Sequence, residues 1–202
     1  MTGTAPAPSV PPRQRAATLL SEVLSPGVLV TGVLLVVGWG STHSPAGAGW
    51  GLFAALFCSV VPYAAVLVGV RLGYWSDHHI RDRRQRTVPF LIAIGSVAAG
   101  IAALVVLGAP SAVLALVVAI LAGLVSTSAV SLWWKVSVHT TVASATTCVL
   151  VLAFGPVLAA ALPVVALVAW SRVALNHHTV AQVVVGALQG ALVCGPVFVL
   201  LS

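Results

Sequence analysis

"SAVLALVVAILAGLVSTSAVS", residues 111–131, carries no charged side chain. Wound into an α-helix at about 1.5 Å per residue, such a stretch crosses a hydrocarbon layer of about 30 Å. A membrane-crossing strand would instead show alternating polarity over about 10 residues, which is absent here. Six more apolar runs accompany it, at about 24–40, 50–70, 88–108, 140–155, 157–170 and 179–201. The sequence therefore predicts an all-α fold, a polytopic transmembrane helix bundle of about seven spans. If the run at 24–40, with "SPAGAG" behind it, is the core of a cleaved signal peptide, the number is six.

Composition agrees. The 202-residue chain is 60% hydrophobic and 6% charged, against about 25% charged residues in soluble domains. Residues 1–18, "MTGTAPAPSVPPRQRAAT", are rich in Pro, Ala and Thr and are expected to form a disordered tail, with residues 19–202 as the membrane domain. A net charge of +6 would suggest nucleic acid in a soluble protein. In this chain it is read against the membrane, and no nucleic-acid partner is expected. Cys58, Cys148 and Cys194 lie singly in apolar runs and read as small buried hydrophobes. No feature fixes an oligomeric state. The small-x3-small pairs Gly69/Gly73 and Gly186/Gly190 are expected to pack helices within one chain, and Trp133 and Trp134 to sit in an interfacial belt.

Breakers separate the runs: "STHSPAGAG", "GAPS" and "GP". The stretch 140–170 is barely long enough for two passes. Each would have about 15 residues and reach about 23 Å, which is tolerable only where protein surrounds a polar cavity. Seven crossings bring three polar stations to one face: 71–89, 133–139 and 171–178. All nine Lys and Arg lie on that face, with the three acids and five of six histidines. The positive-inside rule then orients the N-terminus and the stations to the cytoplasm, in a chain expected to be integral to a bacterial plasma membrane.

Ionisable groups at the mouth of a span are costly and mark chemistry or an ion path. Arg81, Arg83, Arg84, Arg86, Lys135 and Arg172 supply charge suited to a phosphate or diphosphate, while the blander reading of 81–86 is a basic loop on anionic lipid heads. His178 and Gln182 lie four apart at the start of a helix and face the same way, so the amide oxygen can fix the imidazole's tautomer and leave its other nitrogen free to attack. A packing hydrogen bond between the pair is the plain alternative. Asn176 is placed to cap this helix. His139 begins another helix, positioned as a general acid, and Ser137 can donate to a phosphoryl oxygen.

The order of these parts resembles the type 2 phosphatidic acid phosphatase superfamily, membrane lipid phosphatases related to vanadium haloperoxidases. "SRVALNHHTVAQV" follows the family's Ser-Arg-x5-His-x3-Asp with Gln182 for aspartate, and "HTVAQVVVG" is similar to the HTxxQVxxG form of the dolichyl-diphosphatase-like branch. The second signature, Pro-Ser-Gly-His, survives as "VSVH", keeping Ser137 and His139. The first, Lys-x6-Arg-Pro, places His79 where lysine stands and Thr87 for the proline beside Arg86. The resemblance implies a lipid phosphate or prenyl diphosphate substrate and a phosphohistidine on His178, without a metal or other cofactor. His139 would protonate the leaving oxygen. Arg86, Arg172 and Ser137, joined by Lys135, His79 and Arg83, would hold the phosphate, and Gln182 would orient His178. Two rivals stand beside it. One is a metal enzyme using Asp77, Asp82, His78, His79, His139, His177 and His178. The other is a non-catalytic lipid-phosphate-binding or transport protein.

Overall fold

A computed structural model describes residues 11–75 and 83–202. Helix α1 (Pro12–Val23) meets α2 (Pro26–Thr42) at a bend of 42°. Next, α3 (Pro45–Ala55), a π-turn (Leu56–Val60) and α4 (Val61–Arg71) form one continuous 27-residue helix. A 3-10 turn (Arg83–Arg86) precedes α5 (Thr87–Val106), and α6 (Ser111–Trp133) and α7 (Val138–Phe154) follow. A 3-10 turn (Pro156–Ala161) leads into α8 (Leu162–Ala174). The last rod is α9 (Val180–Gln189), a second π-turn (Gly190–Cys194) and α10 (Gly195–Leu201).

Among the described residues there is no strand. Within the described residues five helical rods are long and apolar enough to cross a membrane, six if the bent α1–α2 pair is one span. The seventh apolar run is α7, at 17 residues as short as α2 without α1. Of the two short passes expected over 140–170, only this one stays short. The other reaches 19 residues, Pro156–Ala174, because helix continues through Arg172. Helix α7 packs against α2, α8, α9 and the second π-turn, and it buries His139, Thr140, Thr141 and Thr147. A helix surrounded by protein need not match the bilayer's thickness, and it tolerates polar side chains that lipid would not.

Three local features depart from expectation. The tail predicted over 1–18 is helical from Pro12, a residue pre-set for a first helical turn. Ala17 and Ser21, one helical turn apart, are its buried residues, and α1 packs on α8. Secondly, two prolines inside apolar runs widen the helices before them. Pro62 and Pro196 lack the N–H that would reach the carbonyls of Cys58 and Leu192, and each of those carbonyls lies in a π-turn. At the first π-turn the Phe57 carbonyl accepts from Ser96 Oγ at 2.7 Å. Thirdly, Gly69 and Gly73 do not join two helices. Gly69 lies under the Trp75 ring, and Gly73, at φ 79°, ends α4.

The apolar core is centred on Leu34, Val97, Leu104, Val113, Val117 and Val149. Trp133 closes α6 with its ring exposed, and the three cysteines are unbridged.

Candidate functional site

The site is assembled from two helix starts. Helix α8 ends through Asn176, which adopts the left-handed conformation at φ 54°. The Arg172 carbonyl then accepts the N–H groups of both His177 (3.0 Å) and His178 (3.2 Å). The Arg-x5-His spacing is therefore one helix exit, in which the arginine's backbone holds the histidine's. Asn176, expected to cap α9, closes α8 instead. The cap of α9 is Thr179, whose Oγ1 accepts from the Gln182 N–H at 3.4 Å.

Gln182 returns the bond. Its Oε1 accepts the Thr179 N–H at 3.2 Å and lies 3.1 Å from His178 Nδ1. A backbone N–H can only donate, so the atom facing it is the amide oxygen. The same oxygen can only accept from Nδ1, which must carry the ring proton. The lone pair is left on Nε2. Burial first, then the charges of Lys135, Arg86 and Arg172, push the His178 imidazole down to about 3 against the opposing hydrogen bond to Gln182. At neutral pH the ring is uncharged.

Helix α7 begins at Ser137, whose Oγ accepts from the Thr140 N–H at 3.5 Å. The hydroxyls of Thr140 and Thr141 donate back to the Ser137 carbonyl, both at 3.0 Å. The Ser137 N–H donates to the Gln182 carbonyl at 3.3 Å, tying the start of α7 to the first turn of α9. Close approach here depends on Gly186 and Gly190. A Cβ on Gly186 would lie 2.6 Å from Thr140 Oγ1, and one on Gly190 2.1 Å from the Thr141 carbonyl oxygen. Ser137 is fully buried and serves as a cap. It is not on the wall of the cavity described below.

The cations come from separate elements. Arg86, buried before α5, donates from Nη1 to the Val136 carbonyl at 3.3 Å. Lys135 Nζ donates to the His177 carbonyl at 2.8 Å, bracing the α8–α9 turn from the opposite station. Arg172 is 2% exposed, and its Nη1 donates to Ser21 Oγ, itself buried, on α1. His79 and the side chain of Arg83 lie outside the described residues, as do Asp77, Asp82 and His78 of the metal alternative.

His139, His178, Arg86 and Arg172 all line one cavity of about 1080 Å³. Glu22 also lines it, and most of the remaining wall is apolar, with Val30, Val97, Leu116 and Val149. The model of the PAP2 superfamily matches residues 126–202. The matched segment carries Lys135, Ser137, His139, Arg172, His178 and Gln182. Arg86, Ser21 and the cavity walls formed by α2, α4 and α5 lie outside it. No curated protein and no solved structure matches the chain.

Sequence reading missed Ser21 and Thr179. Thr179 was legible, because Thr-x-x-Gln before an apolar run is the pattern of a reciprocal cap. Ser21 was not, since nothing local ties it to a residue 151 positions later.

Proposed function

We propose that this chain is an integral-membrane phosphatase acting on the phosphate ester of a lipid. One observation carries the reading: two imidazoles and two guanidinium groups open onto one cavity whose remaining wall is mostly apolar. The cationic end suits a phosphate, and the rest suits the hydrocarbon attached to it.

In this reading His178 Nε2 attacks phosphorus, and the bond from phosphorus to the lipid oxygen breaks. Arg86 and Arg172 hold the equatorial oxygens, where charge concentrates in the transition state. Lys135 contributes charge and braces the turn that bears His178. The departing oxygen takes a proton from His139. Water then attacks the phosphohistidine and gives its proton to His139, so free phosphate leaves and both rings regain their starting state. Gln182 fixes the His178 tautomer throughout, and Ser137 aims α7 as its cap. A diphosphate follows the same path with a lipid monophosphate as the leaving group.

The "HTVAQVVVG" pattern makes a prenyl or polyprenyl phosphate or diphosphate the preferred substrate, with phosphatidate or phosphatidylglycerophosphate next. The charge asymmetry supports a site on the cytoplasmic side. A phosphate-release panel over prenyl and glycerolipid phosphates, with wild type and His178→Ala, tests the reading. Release by wild type alone is expected. Equal release by both removes the nucleophile assignment. No release from any lipid, with binding retained, favours the non-catalytic alternative.

A further inference from the structure

A second cavity adjoins Arg86. It measures about 520 Å³ and is set between the start of α5 and the end of α6. Arg86 and Phe90, one helical turn apart, line both this groove and the cavity that holds His139 and His178, so they form the partition between the two. Neither histidine lines the groove. An occupant there faces no imidazole and is not positioned for displacement at phosphorus.

The groove holds a polar group that its own helix does not satisfy. On α6, Ser128 turns its hydroxyl back to the Leu124 carbonyl at 2.7 Å, as a serine in an apolar helix ordinarily does. Ser131, three residues on, does not. It is 6% exposed and lines the groove, and its Oγ has no hydrogen-bond partner among the described residues. Burying a hydroxyl without a partner is costly, so a ligand that supplies one is favoured. Arg86 brings positive charge to the same groove. No side chain caps the start of α5, where Thr87 also lines the groove, and an open helix start favours an anion. The outer edge is apolar, with Leu91 and Leu132 exposed.

We propose that this groove binds an anionic membrane phospholipid, whose phosphodiester lies against Arg86 and accepts a hydrogen bond from Ser131 while its chains run outward past Leu91 and Leu132. Chemistry selects the class. A headgroup bearing an ammonium would bring a second positive charge to Arg86, and no acidic side chain is among the described residues that line the groove. A free phosphate ion would leave the apolar edge unused. The charge asymmetry of the chain points to the same lipid, because the cytoplasmic leaflet is the anionic one. The shared guanidinium then couples the groove to the catalytic cavity, a step that rests on the phosphatase reading. Two anions beside one cation repel each other and divide its attraction, so each weakens the binding of the other. The phospholipid is an inhibitor that never enters the catalytic cavity.

The test places the full chain in lipid nanodiscs in which phosphatidylglycerol replaces phosphatidylcholine stepwise. Native mass spectrometry counts the phosphatidylglycerol retained, and phosphate release from a lipid phosphate is followed in parallel. Wild type is expected to retain phosphatidylglycerol while its kcat/KM falls about fivefold to a plateau. Ser131→Ala removes the hydroxyl, and Ile94→Trp fills the groove and stands in if the first variant does not fold. Each is expected to retain at least about fivefold less phosphatidylglycerol and to lose the inhibition, since neither side chain lines the catalytic cavity. Retention that is absent in wild type, or equal in wild type and both variants, overturns the site. So does a second copy of the chain in place of lipid, seen as a dimer that Ile94→Trp dissociates. Inhibition that persists in both variants is a property of the charged bilayer and counts against the coupling. Retention that depends on the groove, without phosphate release in any disc, upholds the site and removes the phosphatase reading instead.

Discussion

The wall built by α7 and α9 and the wedge between α1 and α4 face the same cavity, yet they are formed by opposite means. On the first, the two helix starts are tied by hydrogen bonds: Ser137 caps α7, Thr179 and Gln182 cap each other, and one backbone bond joins the helices. On the second, Ser59 to Gly27 is the bond at the apex, and α4 diverges from it with an apolar surface. A headgroup must be held to within fractions of an ångström for displacement at phosphorus. A hydrocarbon chain needs only volume and an opening. Among the described residues, hydrogen bonds are dense beside the charged groups and sparse where α1 and α4 part.

The sharpest way to break the contrast is to remove the ring that the rigid wall exists to position. His178→Ala is expected to lower phosphate release by at least about a thousandfold with little change in lipid binding, since the ring's contribution comes in the transition state. A smaller loss would move the nucleophile elsewhere. Next is the contact between the two helices. Gly186→Leu forces a side chain into Thr140 and the Ser137 carbonyl, and overpacking of this kind costs about 1–3 kcal/mol. Because His139 and His178 ride on the separated helices, release is expected to fall about a hundredfold while the protein still folds. A thermal shift without loss of activity would mean that the two rings do not act together.

Charge on the rigid wall is tested by pH. His178 titrates at about 3 in the folded protein, and the second cause after burial is Lys135. The unfolded imidazole takes up its proton near 6.5. Between those values the unfolded chain binds more protons, so stability falls as pH drops from about 6.5 towards 3. Activity should follow the folded value. Wild-type kcat/KM is expected to lose nothing to His178 protonation down to about pH 4. Lys135→Met removes a positive charge, raises the ring towards its ordinary value and moves the acid limb to higher pH; Lys135→Arg leaves it in place. An acid limb that is identical in all three would show that this lysine only braces the turn.

How the sequence revealed this architecture follows the same division. Long uncharged runs mark helices because a helix satisfies its own backbone hydrogen bonds in lipid, and the run at 111–131 became α6, Ser111–Trp133, almost unchanged. The pairing of His178 with Gln182 was legible from helical spacing, since four residues make one turn. What remained hidden depended on contacts between distant parts. Pro62 was visible within its run, and the widening it causes is local, but that α4 then leaves α2 for α5 depends on tertiary packing. Residues 12–18 of α1 read as tail because the segment 1–18 is rich in Pro, Ala and Thr, and the helix they form packs on α8.

Ser21 joins the two regions and carries the smallest effect. Its hydroxyl, on α1, receives a bond from Arg172 on α8, whose backbone holds the turn that bears His178. Ser21→Ala leaves a buried guanidinium N–H without that acceptor, and a hydrogen bond to a charged group is worth about 1.5–3 kcal/mol. Neighbouring acceptors will recover part of that loss, so kcat/KM is expected to fall by about three- to tenfold. If Ser21 positions Arg172 for the phosphate, the loss appears in kcat and Ser21→Thr recovers it, because the hydroxyl returns. If Ser21 only fastens α1 to α8, Ser21→Ala lowers thermal stability and leaves kcat alone. In that case the N-terminal helix would belong to the wedge by packing and contribute nothing to how the headgroup is held.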